Sequence, residues 1–217
     1  MTDALFIAGW AHPARVLEPL ARRLRVGESV FLSAAEAMAL ERLPEARVVV
    51  GHSLGGLLAL KGLPEACERL VLLAATARFC TANDYPCGVP EKTLRLMMRQ
   101  LERAPQAVLE RFFRNVRFPE PAPPPPPVRE PIEILLAGLE TLRRTDLRER
   151  LPSLRQPVLL LHGTQDRIIP HAAAKRLLDL LANARLETLP DAGHALFAEP
   201  ALHRVATAAA AFLRAPA

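Results

Sequence analysis

The sequence predicts an α/β fold, with a mostly parallel sheet of about six strands, helices on both faces and an inserted helical cap. Three observations carry this. Short apolar runs such as Val48-Val49-Val50 and Arg69 to Ala74 alternate with helical apolar patterns, as buried parallel strands and their crossover helices do. Gly51-His52-Ser53-Leu54-Gly55 joins one such strand directly to a helix and has the spacing of a strand–turn–helix serine motif. The stretch 79–151 shows helical periodicity and no convincing strand. Residues 1–78 and 152–217 are therefore read as the core and 79–151 as the cap.

Taken in order, Leu5 to Gly9 is a strand ending at glycine, and Trp10 to Pro13 is the loop after it. Pro13 to Arg25 reads as a helix with Val16, Leu17, Leu20 and Leu24 on one face. Val30 to Leu32 is a weak strand and Ala34 to Leu43 a short helix. The strand at 48–50 and the helix from Leu54 flank Ser53, with small glycines allowing the tight turn. Gly56 would let that helix pack close to the neighbouring strand. In the cap, Glu91 to Arg103, Pro105 to Val116 and Ile132 to Arg144 each repeat apolar residues at helical spacing. Between the last two, residues 121–127 hold six prolines, which predicts a polyproline II connector. The sheet resumes with Pro157 to His162, a helix over Pro170 to Leu181, a strand over Ala184 to Leu189 and a final helix over Pro200 to Leu213.

Half of the 217 residues are apolar, enough for a sizeable core, yet no run has the length of a membrane span. The start of the chain lacks the basic-then-apolar pattern of a secretory signal. Cys67, Cys80 and Cys87 have no metal or redox spacing and read as free thiols. These points predict a cytoplasmic protein, and a monomer is the default expectation. The net charge is +5. Between Lys92 and Arg117 stand seven basic residues against two acids, a local balance equal to that of the whole chain. Lys92, Arg95, Arg99 and Arg103 share one helical face, and Arg111, Arg114 and Arg117 follow on the next helix. Exposure is expected for all seven. The patch carries no nucleic-acid recognition motif, and its phenylalanines are needed for packing, so nucleic-acid binding is not expected.

A lone serine is a poor nucleophile and needs a base, an acid to orient the base, and oxyanion donors. Asp166 follows the strand at 157–162, and His194 follows the strand at 184–189. Ligands in such sheets bind outside the carboxyl ends of the strands, so Ser53, Asp166 and His194 fall on one edge. Their chain order is the one this serine motif takes. Asp191 is a competing acid but sits three residues from His194 and suits a turn. His12 is the rival base. His52 and His162 are expected to bond locally, and His171 and His203 to lie at the surface. The backbone N–H groups of Leu54 and Trp10 are the expected oxyanion donors. The chemistry is acyl transfer to water and requires no cofactor or metal. A non-catalytic binding protein on the same scaffold is a rival reading, opposed by the complete triad.

At these residues the chain resembles the α/β-hydrolase family over nearly its whole length. More narrowly, it resembles the family of esterases acting on the methyl ester of pimeloyl-[acyl-carrier protein] in biotin synthesis. The carrying stretches are Ala8-Gly9-Trp10, Gly51 to Gly56, Thr81 to Pro86, Gly138 to Leu142 with Thr145 to Arg148, Gly163 to Asp166, and Ala192-Gly193-His194. The resemblance implies Ser53, Asp166 and His194 as triad and Trp10 and Leu54 as oxyanion donors. It implies an acidic acyl carrier protein as partner, held by cap arginines. Arg111 is the position carried over, with Arg114, Phe112 and Phe113 beside it as candidates for substrate or carrier contact. The chain departs from the family pattern by starting near what is normally the third strand and by carrying Ala8 where histidine is usual. The segment between the first strand and the serine is short. The proline run stands where another arginine-bearing helix is expected. A general esterase for small free esters is the alternative.

Overall fold

The computed structural model describes residues 2–121 and 130–215. Six strands form one sheet: β1 (Thr2–Ile7), β2 (Ser29–Leu32), β3 (Ala46–His52), β4 (Arg69–Leu73), β5 (Val158–Gly163) and β6 (Ala184–Leu189). Their order is β2-β1-β3-β4-β5-β6, and every neighbouring pair is parallel. β5 is buried along its whole length, whereas the edge strand β2 is half-buried throughout. That is the pattern of a sheet covered on both faces.

The helices are α1 (Glu18–Leu24), α2 (Ala34–Ala39), α3 (Leu54–Lys61), α4 (Glu91–Arg103), α5 (Pro105–Arg117), α6 (Ile132–Arg144), α7 (His171–Leu180) and α8 (Ala201–Arg214). From β1 the chain steps outward to β2, then returns across β1 to β3 and continues to β6. Right-handed crossovers therefore put α1 on one face and α2, α3 and α7 on the other. α8 packs against α1. The direction reverses between β1 and β3, so the crevice at their carboxyl ends is the switch point where ligands bind in such sheets.

The helix expected over 13–25 is interrupted. Ala14–Leu17 is a 3-10 turn, and α1 begins at Glu18 with Pro19 in its first turn. Proline has no N–H to donate backward, so it is tolerated only at a helix start. The short helix α2 is capped reciprocally by Ser33 and Glu36, and ends at Ala39, earlier than expected. Between β4 and β5 lie α4, α5 and α6, with α4 packed on both of the others. α4 and α6 have the bounds read from the sequence because strong amphipathic periods mark them. The polyproline connector falls, apart from Pro121, outside the described residues. Cys67, Cys80 and Cys87 are free. Among the described residues no helix is long and apolar enough to cross a membrane.

Candidate active site

β3 passes into α3 through Ser53 alone. Ser53 has φ 54° and ψ −118°, a backbone conformation that side chains rarely adopt. The strain is held by packing on both sides. A Cβ on Gly51 would come within 2.6 Å of the Gly56 Cα, and one on Gly55 would overlap the Ile7 carbonyl. Only glycine permits so close a crossing of strand and helix. Gly56 fits the same logic, since a Cβ there would lie 2.6 Å from the Ala75 Cβ. The Ser53 N–H donates to the Leu73 carbonyl at 2.9 Å, tying the turn to β4.

Asp166 and His194 are brought together from the loops after β5 and β6. His194 Nδ1 lies 2.7 Å from Asp166 Oδ2, and both side chains are fully buried. The other oxygen, Oδ1, accepts from the N–H groups of Ile168 at 2.7 Å and Ile169 at 2.9 Å. His162 Nε2 stands 3.3 Å from Oδ2 and donates to the Ile169 carbonyl at 2.9 Å. Burial alone would raise the Asp166 carboxyl. The charges and hydrogen bonds of His194 and His162 outweigh it and hold Asp166 below the usual carboxylate range. An ionised carboxylate only accepts, so Nδ1 of His194 carries the proton. Nε2 is then the free lone pair, and it is buried with no hydrogen-bond partner among the described residues. A base in this tautomer accepts at Nε2. The expected bond from Ser53 to that nitrogen is not made in this conformation.

The competitors take other places. Asp191 is exposed at φ 62° and accepts from Gln165 Nε2, as a turn residue does. His12 is buried, with Nδ1 2.8 Å from the Trp10 carbonyl. Burial pushes it down to about 4, so it is neutral at neutral pH. His52 is also buried, and burial and the neighbouring His194 and His12 charges push it well below the ordinary histidine value. Its Nε2 donates to the His194 carbonyl at 3.2 Å. His203 is exposed, but His171 is not a free surface residue: it is half-buried, with Nε2 3.0 Å from Thr188 Oγ1.

Among the described residues, no loop or turn carbonyl accepts from the backbone N–H of Trp10 or Leu54. Both groups are thus unclaimed donors beside Ser53, and Leu54 opens α3, where the first N–H groups have no helical partner. The Trp10 indole reaches across to the helical segment. Its Nε1 donates to the Leu135 carbonyl of α6 at 2.8 Å, and its ring meets Phe112 edge-on at 4.7 Å. Gly138 makes room for it, since a Cβ there would come within 2.7 Å of the indole. No local pattern in the sequence signals this crosslink, although Gly138 lies in one of the stretches that carry the family resemblance.

Ser53 opens into a cavity of about 260 Å³. Its walls are mainly apolar, with Phe79, Leu94, Met97, Phe112 and Leu139 among them, and its polar members include Arg111 and Arg167. The arginine-bearing α5 therefore shares a wall with Ser53 rather than standing in a separate layer. Phe113 lies outside this lining and packs against His12 at 5.3 Å. Arg114 is exposed, as are Lys92, Arg95, Arg99, Arg103 and Arg111. Arg117 departs from expectation: it is half-buried, with its Nε buried and unbonded among the described residues.

The sequence pattern of the alpha/beta hydrolase family matches residues 8–209. The chain belongs to the alpha/beta hydrolase family. Within that family it is similar to the pimeloyl-[acyl-carrier protein] methyl ester esterase of Nitrosomonas europaea, at 33% identity over 90% of this chain and 89% of that protein. The enzyme of the same name from Aromatoleum aromaticum is 36% identical over 73% of this chain and 70% of its own. Among solved structures, an esterase from Exiguobacterium antarcticum superposes with a TM-score of 0.84 over 99% of this chain and 92% of its own, at 19% identity. A bromoperoxidase from Bacillus anthracis reaches 0.76 over 98% of this chain and 91% of its own, at 16% identity. Likeness at that identity speaks for the fold alone, since one hydrolase scaffold hosts different chemistries.

Proposed function

We propose that the chain is a serine carboxylesterase that hydrolyses the methyl ester of pimeloyl-[acyl-carrier protein] in biotin synthesis. One observation carries the chemistry: the buried 2.7 Å contact of Asp166 with His194, on the sheet edge that holds the strained Ser53. In this reading Ser53 Oγ attacks the ester carbonyl while His194 Nε2 takes its proton. The N–H groups of Leu54 and Trp10 stabilise the oxyanion. His194 returns the proton to the departing methanol. Water, activated by His194 in turn, hydrolyses the acyl-enzyme and restores Ser53. Asp166 keeps the imidazole in the required tautomer throughout.

The segment 79–151 acts as the cap, and its cations meet the acidic carrier. The names of the relatives support this substrate. A second reading, a general esterase for small free esters, is favoured by the apolar walls of the cavity beside Ser53. Hydrolysis of the carrier-linked methyl ester compared with the same ester free in solution separates the two. A clear preference for the carrier-linked form is expected, and equal rates would support the general esterase. Ser53→Ala should abolish turnover of both, by about a thousandfold or more, in a protein that stays folded. A folded variant with full activity would end the serine-esterase reading.

A further inference from the structure

Arg167 has no part in the mechanism above, and its surroundings are unusual. It lines the cavity that holds Ser53, together with Arg111 of α5. No Asp or Glu lines that cavity among the described residues. Neither arginine forms an ion pair among the described residues. Arg111 donates to the neutral amide oxygen of Gln100 at 2.6 Å. Arg167 instead lies over the Phe118 ring, its Cζ 3.1 Å from the ring centroid.

Stacking occupies the face of a guanidinium and leaves its in-plane N–H groups free. Those groups form the fork that matches a carboxylate. The backbone that carries this ring is anchored. The Phe118 N–H donates to the Arg114 carbonyl at 3.1 Å, and the Phe118 carbonyl fills the space that a Cβ on Gly193 would need. Arg167 is exposed, and its contact with the Phe118 ring lowers the ordering cost of binding. Most of the remaining lining is apolar, with Leu94, Met97, Val108 and Leu139, and its other polar members include Thr93 and Asn115. Such a cavity suits a methylene chain with a polar group at each end.

We propose that Arg167 and Arg111 form a carboxylate subsite in the Ser53 cavity, and that the enzyme therefore accepts free half-esters of dicarboxylic acids. The ester end meets Ser53, and the free carboxylate at the far end of the chain meets the two guanidiniums. A carboxylate brought into so apolar a cleft needs a charged, hydrogen-bonding partner, and these two are the unpaired ones on its wall. The inference rests on Ser53 as the esterase nucleophile and goes beyond a carrier-linked substrate. Lys92, Arg99 and Arg103, exposed on α4 and outside the lining, remain available to a carrier's phosphate.

The test compares the monomethyl ester of pimelic acid with methyl heptanoate, which lacks the second carboxyl. At about pH 7 the half-ester is ionised. The wild-type protein should favour the half-ester in kcat/KM by about tenfold, mainly through KM, the scale of one charged hydrogen bond. Arg167→Met should erase most of that ratio. Arg167→Lys should return part of it, because the charge is restored but the fork is not. About 0.5 M salt should narrow the wild-type ratio. A wild-type ratio of one or less overturns the subsite. So does an equal loss on both esters in Arg167→Met, which would mean that the neighbouring Asp166 had been disturbed. A loss confined to the carrier-linked ester, with the half-ester untouched, would hand these arginines to the carrier's phosphate and also overturn it. Ser53→Ala run beside these variants keeps the two readings apart: full hydrolysis there strikes the nucleophile, whereas the subsite stands only if this variant still binds the half-ester more tightly than methyl heptanoate and Arg167→Met removes that preference.

Discussion

At the carboxyl edge of the sheet, the side chains of Asp166 and His194 have no exposure to solvent, and both oxygens of Asp166 are hydrogen-bonded. On α4 and α5, Lys92, Arg99, Arg103 and Arg114 stand in water and form no ion pair among the described residues. Arg95 alone of the exposed set on α4 is paired, with Glu91 at 2.8 Å. The two regions use charge in opposite ways. A buried, fully bonded carboxylate fixes one geometry, and losing one partner leaves the other stranded at high cost. Exposed cations fix no geometry. They set up a field that salt weakens and that acts mainly on encounter. Removing a charge should thus cost far more at the edge than on the helices, and the loss should differ in kind.

The largest expected effect is at the edge. Asp166→Asn should lower ester hydrolysis by about 10³–10⁴-fold, because an amide can donate to Nδ1 and favour the wrong tautomer. Asp191→Asn should change little, since Asn tolerates the left-handed backbone of that turn. The steady-state kcat of the two variants decides it. A comparable loss in Asp191→Asn would move the orienting acid to the turn and undo the contrast.

The edge should also show in stability against pH. His12 titrates near 6.5 when unfolded, and burial lowers it to about 4 in the fold. Between those values the unfolded chain binds more protons, so stability rises with pH across that window. It is fully present above about 6.5 and lost as pH falls toward 4, on the order of 3 kcal/mol for this one group. His52 acts in the same direction. Urea unfolding measured across the window should give a steep slope for wild type and a shallower one for His12→Gln. Equal slopes would mean that His12 is not held neutral by the fold.

The same division explains what the sequence discloses. The turn at Ser53 is legible because its requirements are local: a β-branched run, glycines at fixed offsets and a helix. That Asp166 and His194 meet on the edge that holds Ser53 follows because parallel topology sends strand ends to one edge. The amphipathic periods of α4 and α6 gave their bounds. What could not be read depends on contacts between distant residues. Arg167 acquires its setting from Phe118, and Trp10 its anchor from Leu135. His171 is drawn inward by Thr188, and Arg117 is half-covered although Arg111 and Arg114 on α5 are exposed. Pro19 was legible in principle, since it cannot sit inside a helix. The helical pattern around it masked the break.

The smallest expected effect tests the exposed side of the contrast. Because Arg111 lines the cavity, reversing it would disturb the ester site as well as the field. Arg99 and Arg103 on α4 are cleaner targets: both are exposed, neither lines the cavity, and neither forms an ion pair among the described residues. A surface charge acts through the summed field, so one reversal is weak and two together are needed for a clear signal. For Arg99→Glu with Arg103→Glu, kcat/KM for a carrier-linked ester should fall by about five- to tenfold relative to a small neutral ester at low salt. The fall should lie in association, leaving the burst of acyl-enzyme unchanged once the complex has formed. It should shrink at about 0.5 M salt, where the Debye length is shorter than the reach of the patch. A salt-independent loss would instead mean that the two helices had been disordered. A loss shared by the neutral ester would mean that this face is coupled to the edge through α5, whose Val116 carbonyl accepts from the Ala195 N–H at 3.0 Å beside His194. That outcome would join the two regions into one device, with the field and the fixed geometry no longer separable.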